Sequence, residues 1–179
     1  MHIAVVYGSC YGNAKRYAQA LAERLGETAV PYQEAGDLSA CDAIVYIGGL
    51  YAGRVRGLPK TASRLPAGTG KKLVVVTVGL SDPQNPANAA AIRDAVKRQL
   101  PPQLFDSAVL YHLRGGIAYR GLKPVHRLMM WLFYRMVRRT PREQMSADAR
   151  GIVDTDGREV DFVDISGLDP IYKAIIQSP

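Results

Sequence analysis

Residues 7–18, YGSCYGNAKRYA, follow a short apolar run and precede a long helical pattern, and this junction decides how the rest of the chain is read. The run before it, HIAVVY at 2–7, is continuously apolar and ends at Gly8, as a strand buried on both faces does. After it, Ala14, Tyr17, Ala18, Leu21, Ala22 and Leu25 recur at helical spacing, and Gly26 supplies a stop. A loop from strand into helix presents free backbone N–H groups, and the helix dipole adds about half a positive charge. Such a loop is an anion site. Gly8 and Gly12 let the backbone turn tightly and approach a ligand. Ser9 adds a hydroxyl, and Asn13 adds an amide donor and a helix cap. The parts suit a phosphate monoester held without metal. The spacing excludes a Walker loop, which needs G-x-x-x-x-G-K-[ST], and the dinucleotide fingerprint G-x-G-x-x-G is absent. No acidic residue follows the strand to hold Mg²⁺, and no cysteine pair makes a redox loop.

Outward from this junction the same alternation repeats. TAVPYQ is a weak second strand that Pro31 places at an edge. DAIVYIGG, 42–49, is a third strand, and PKTASRL, 59–65, a short helix begun by Pro59. KLVVVTVGL, 72–80, is the strongest strand. NPANAAAIRDAVKRQL is a helix closed by Pro101 and Pro102, and SAVLYHLRGG is a fifth strand. Continuous apolar strands alternating with helices imply an α/β fold, a three-layer sandwich around a five-stranded parallel sheet. Right-handed crossovers favour the order 2-1-3-4-5. Ligands in such sheets sit at the carboxyl ends of the strands, so the loops to watch are 8–14, 49–57 and 79–86. GTGKK, 68–72, looks phosphate-like but precedes a strand, and reads as a surface turn.

The 179 residues fit a single domain spanning 1–179, with 47% hydrophobic and 22% charged residues, an ordinary globular balance. Cys10 and Cys41 cannot build a disulfide framework, and the start MHIAVVYGSC is too short and too lightly charged for a signal peptide. The expectation is a cytoplasmic protein. Its net charge of +7 is concentrated: no acidic residue lies between Asp106 and Glu143, where Arg114, Arg120, Lys123, Arg127, Arg135, Arg138, Arg139 and Arg142 fall. Without these eight cations the net charge drops to −1. One basic segment on a near-neutral domain indicates a local role, not a nucleic-acid partner. His2, His112 and His126 make no metal-ligand pattern. No Ser-His-Asp order or carboxylate pair offers catalytic residues, and nothing sets an oligomeric state.

The stretch Ser9-Cys10-Tyr11-Gly12-Asn13-Ala14 resembles the phosphate loop of flavodoxins, T-x-T-G-N-T, with Gly12 and Asn13 matching and Ser9 keeping the first hydroxyl. Tyr11 and Ala14 depart and remove two hydroxyls, leaving more to backbone donors. The resemblance implies a flavodoxin-like fold with FMN as cofactor. IGGLYAGRVRG then corresponds to the loop beside the isoalloxazine ring, with Leu50, Tyr51, Ala52 and Gly53 against it and Tyr51 able to stack. TVGLSDPQNPAN corresponds to the second ring loop. Gly79 and Leu80 would offer backbone groups to the ring edge, and Asp82 would either reach that edge or serve the turn before Pro83. Cys10, at a helix N-terminus, would fill space beside the phosphate.

After the fifth strand a basic helical insertion, about 115–142, intervenes. Val125, Leu128, Met129, Leu132, Phe133, Met136 and Val137 follow helical spacing, Pro124 suits a first helical position, and Arg127, Arg135, Arg138 and Arg139 lie off that stripe. Such a basic amphipathic helix either packs its stripe on the domain or meets an anionic membrane surface, giving peripheral contact through 114–142 on the inner face of a membrane. With RGGIAYRGLKPVHRLMMWLFYRMV, the chain is similar to the menaquinone-dependent protoporphyrinogen IX dehydrogenase branch of the flavodoxin-like proteins. That resemblance implies an FMN oxidoreductase passing electrons from a reduced substrate to a quinone. The alternatives are a flavodoxin-type electron carrier serving a redox partner protein, and a non-catalytic domain that binds through the insertion. The tail departs from the branch in being longer, with a hairpin turn expected at Asp156-Gly157.

Overall fold

The computed structural model describes residues 2–51, 53–65, 71–117, 124–145, 147–155 and 158–177. Residues 68–70 of the turn expected at 68–72, the turn at Asp156-Gly157 and the site residue Ala52 lie outside the described residues, and Lys72 already belongs to a strand. Five parallel strands carry the fold: β1 (Ile3–Gly8), β2 (Ala29–Pro31), β3 (Ala43–Tyr51), β5 (Lys72–Gly79) and β6 (Val109–Arg114). They run in the spatial order β2-β1-β3-β5-β6, the expected order 2-1-3-4-5 of the five parallel strands. The register sets Gly8 beside Gly48, Gly48 beside Thr77 and Thr77 beside His112, so the strands finish together at one end of the sheet.

Side chains alternate across the sheet, and both faces are covered. On one face Val5, Val45, Ile47, Val74 and Val76 pack under Tyr17, Ala18 and Leu21 of α1 (Asn13–Leu25) and under Ile171 and Ile175 of α7 (Asp169–Ile176). On the other, Val6, Ile44, Tyr46, Leu73 and Val75 meet Leu58 and Ala62 of α2 (Leu58–Ala62), Val96 of α3 (Pro86–Lys97) and Phe105 of α4 (Pro102–Ser107). The short β2, ending at Pro31, lies at the sheet edge as its proline requires.

Four expectations change. The third strand extends to Tyr51 and doubles back through β4 (Arg54–Val55), so 49–57 is an antiparallel hairpin instead of an open loop. The helix α3 stops at Lys97, short of Pro101 and Pro102, and Pro102 instead opens α4, because a proline costs a helix nothing in its first turn. The segment after β6 forms a ribbon of β7 (Gly116–Ile117) with β8 (Val160–Asp161), between which lie α5 (Pro124–Val137) and α6 (Ala147–Asp154). The helix α5 buries only part of the stripe read from the sequence. Met130 and Val137 are buried and Phe133 and Tyr134 packed, whereas Leu128, Leu132 and Met136 are exposed.

One buried hydroxyl ties the tail to the sheet. Tyr17 Oη donates to the Arg114 carbonyl at 2.8 Å and accepts from the Asp164 N–H at 2.9 Å. Burial pushes this phenol up, offset in part by the Asp164 N–H. Arg24 pairs with Asp169 at 2.8 Å alongside, fixing α7 to α1.

Candidate functional site

The carboxyl ends of β1, β3 and β5, the start of α1 and the helices α5 and α6 enclose a cavity of about 260 Å³. It is bordered by Ser9, Cys10, Tyr11, Asn13 and Ala14 from the first loop, by Gly49, Leu50 and Tyr51 from β3, and by Val78, Gly79 and Leu80 from β5. Gly115–Ile117 close one side, and Met129, Met130, Phe133 and Ile152 another. No charged side chain is among these lining residues. Among the described residues no cluster of His, Cys, Asp and Glu is placed to hold a metal, and no helix is long and apolar enough to cross a membrane.

The first loop turns on Gly12, whose φ of 91° lies in the left-handed region that glycine tolerates. Gly12 is the residue that starts the helix, so Asn13 does not cap it as expected. Instead the Asn13 amide donates to the Gly116 carbonyl at 2.6 Å and pins the β7 ribbon to α1. The Gly12 N–H is donated to Ser9 Oγ at 3.0 Å, which leaves the Ser9 O–H as a donor to a ligand. The opening N–H groups of α1 have no intrahelical acceptors, as at any helix start. The loop therefore presents free N–H donors at the helix start, with one of its donors used internally.

Gly8 has another reason for being glycine. A Cβ there would collide with the Arg56 carbonyl and sit 2.5 Å from Tyr46 Oη. The Tyr46 hydroxyl donates to that carbonyl, and burial pushes its phenol well above the ordinary range. Gly8 thus makes room for a bond inside the core, not for a ligand. Gly53 does not line the cavity; it takes φ 72° in the β3–β4 hairpin turn.

Tyr51 and Tyr11 meet at the cavity with ring centroids 6.2 Å apart and planes tilted by 59°. Partial burial, with Tyr51 and then Cys10 beside it, pushes the Tyr11 phenol up to about 12. Asp82 stands apart from the cavity. Its carboxylate accepts from the Gln84 N–H at 2.9 Å and its carbonyl from the Asn88 amide at 3.0 Å, which is turn chemistry. His112 Nδ1 lies 2.8 Å from Thr77 Oγ1, and burial lowers its pKa, as suits a half-buried histidine at the sheet rim.

The sequence pointed to the first loop, β3, the β5 exit and the basic insertion as neighbours of the site, and missed α6. Met129 and Phe133 belong to the basic insertion, whereas Ile152 comes from α6, a short helix with no strong period. It reaches the site because Gly151 lets α6 approach β5 closely; a Cβ on Gly151 would lie 2.7 Å from the Ser81 nitrogen and 2.9 Å from the Leu80 carbonyl carbon. The insertion's cations are not equivalent either. Arg142 pairs with Asp154 at 2.9 Å, and the Arg114 guanidinium lies 3.6 Å over the Phe162 ring.

A family model described as a flavodoxin domain matches residues 4–144. No curated protein matches the chain. Among solved structures, a mutant flavodoxin from Pseudomonas aeruginosa is 18% identical, with 74% of this chain and 94% of that chain covered and a TM-score of 0.45. A flavodoxin from the domain Archaea is 18% identical, covering 63% and 85% with a TM-score of 0.37. A Trp repressor binding protein from Bacillus subtilis is 13% identical, covering 63% and 83% with a TM-score of 0.40.

Proposed function

This chain belongs to the flavodoxin-domain family, and we propose that it is an FMN-dependent oxidoreductase that passes electrons from a reduced substrate to a quinone. The observation that supports this reading is the cavity itself: the start of α1 at one end, and elsewhere walls that are apolar and aromatic, with no charged side chain among the described lining residues. A phosphate ester fits the first part, because backbone N–H groups and the helix dipole favour an anion without a cation. A flat aromatic ring fits the second. Ser9, Cys10, Tyr11, Gly12, Asn13 and Ala14 hold the phosphate in this reading. Tyr51 stacks on the ring with Leu50 beside it in β3, and Gly79 and Leu80 meet its polar edge. When bound, FMN supplies the hydride and electron transfer that the lining side chains cannot. Met130, Phe133 and Ile152 exclude water from that side.

The likeness of the insertion to the protoporphyrinogen IX dehydrogenase branch supports a quinone as acceptor. A second reading, a flavodoxin-type carrier with no turnover of its own, draws on a different observation. Among the described residues, the lining has no histidine, carboxylate or lysine, the usual groups that move protons for a substrate. Reduction of a water-soluble quinone by the FMN-loaded protein separates the two. With the flavin re-reduced by light and EDTA, many turnovers per flavin, saturating in quinone, are expected. A reduced protein that keeps its electrons in the presence of quinone, yet yields them to a redox partner protein, would establish the carrier instead.

A further inference from the structure

We propose that the outward face of α5 docks on an anionic lipid bilayer. The helix carries two apolar faces, and only one is used by the fold. Met130 and Val137 are buried, and Phe133 and Tyr134 pack with Leu80, Ile117 and Ile152. On the opposite side Leu128, Leu132 and Met136 form an i, i+4, i+8 row, 59%, 53% and 60% exposed. Trp131, 51% exposed, borders the row. A helix that already packs one face on its domain has no structural need for a second apolar row in water.

The charges around the row identify what covers it. Arg135 lies with its guanidinium 5.0 Å over the Trp131 ring, Arg138 lies 5.5 Å over the Tyr134 ring, and Arg139 is exposed. None of these three has a carboxylate partner among the described residues, in contrast to Arg142 with Asp154. A second copy packed face to face would bring these cations against their own kind. An anionic leaflet meets both needs: headgroups neutralise the arginines, and acyl chains accept the leucines, methionine and tryptophan of a helix lying in the interface plane. The face also adjoins the cavity. Met129, 49% exposed beside the row, is a lining residue, so an apolar ligand dissolved in the bilayer would meet the cavity wall at the docked surface. Docking of this face does not require FMN in the cavity.

The chain has one tryptophan, so its emission reports this surface directly. The full-length protein is mixed with vesicles of phosphatidylcholine, with and without phosphatidylglycerol, and followed by Trp131 emission and co-sedimentation. A blue shift and co-sedimentation are expected with the anionic vesicles, weaker by at least about tenfold without phosphatidylglycerol or in high salt. The triple variant Leu128→Ser, Leu132→Ser, Met136→Ser should lose at least about tenfold in vesicle affinity while melting at or above the wild-type temperature, since these side chains leave no cavity behind. A second variant, Arg135→Gln, Arg138→Gln, Arg139→Gln, should erase the preference for phosphatidylglycerol. Absence of both shift and co-sedimentation on anionic vesicles overturns the proposal. So does a dimer in analytical ultracentrifugation whose Trp131 emission is already blue-shifted without lipid, because a second copy would then cover the row.

Discussion

Replacing Tyr17 by phenylalanine removes a single oxygen that holds two chain segments to α1. The ring stays in the core, where Tyr17 is 1% exposed, so no cavity is expected. What is lost is the bond to the Arg114 carbonyl and the bond from the Asp164 N–H, whose donors and acceptors lie partly out of reach of water. Each net hydrogen bond is worth about 1 kcal/mol, and leaving a partner unsatisfied moves the cost upward. The expected loss is therefore about 2 kcal/mol, a factor of about 30 in the unfolding equilibrium. For a domain of this size that lowers Tm by about 4–8 °C. Urea unfolding should show a lower midpoint at unchanged slope. The pH dependence carries a second signature. Burial raises the folded-state pKa of this phenol above its unfolded value of about 10. Its contribution is therefore fully present below pH 10 and is lost as pH rises through the folded value. The stability gap between wild type and Tyr17→Phe should be constant near neutrality and close in alkali. A variant within about 0.5 kcal/mol of wild type, or a gap that widens in alkali, would refute the reasoning.

Three further outcomes follow from the geometry. Gly8→Ala puts a Cβ against the Arg56 carbonyl and Tyr46 Oη, and should destabilise the protein by about 2 kcal/mol or more, read by thermal melting. Asp82→Asn keeps an oxygen to accept from the Gln84 N–H, so FMN affinity and Tm should both match wild type; a tenfold weaker FMN titration would mean the carboxylate serves the ligand. The Asp161 carboxyl is held below its ordinary pKa by the bond from Arg16 at 2.7 Å and by the Val163 N–H, so its modest contribution is present above pH about 4 and lost as pH falls through the lowered value. Acid titration of Asp161→Asn should lack that step.

The sheet was legible because its strands are continuous apolar runs and its first helix keeps an unbroken period from Ala14 to Leu25. Pro31 even told which strand lies at an edge. The first loop was legible as a turn from strand into helix whose opening N–H groups lack helical acceptors, since that depends on local chain geometry. What escaped depends on contacts distant in sequence. Gly8 is glycine because of Arg56 and Tyr46, which no local pattern announces. Asn13 reaches Gly116, over a hundred positions away, in preference to its own helix. The stripe on α5 was misassigned because apolar residues surround most of that helix, and periodicity cannot tell which face meets the β5 exit. Ile152 was missed because a helix as short as α6 has too few turns to show a period.

Binding of FMN at the head of the sheet is the claim on which the functional account rests. Purified protein, stripped of any bound chromophore, is titrated with FMN while flavin fluorescence is followed, alongside Gly12→Val. Valine at a φ of 91° is strongly disfavoured and should distort the turn that presents Cys10 through Asn13. The account predicts stoichiometric, quenching uptake by wild type and loss of uptake by a folded Gly12→Val protein. No uptake by wild type at high micromolar FMN, or equal uptake by both, would contradict it.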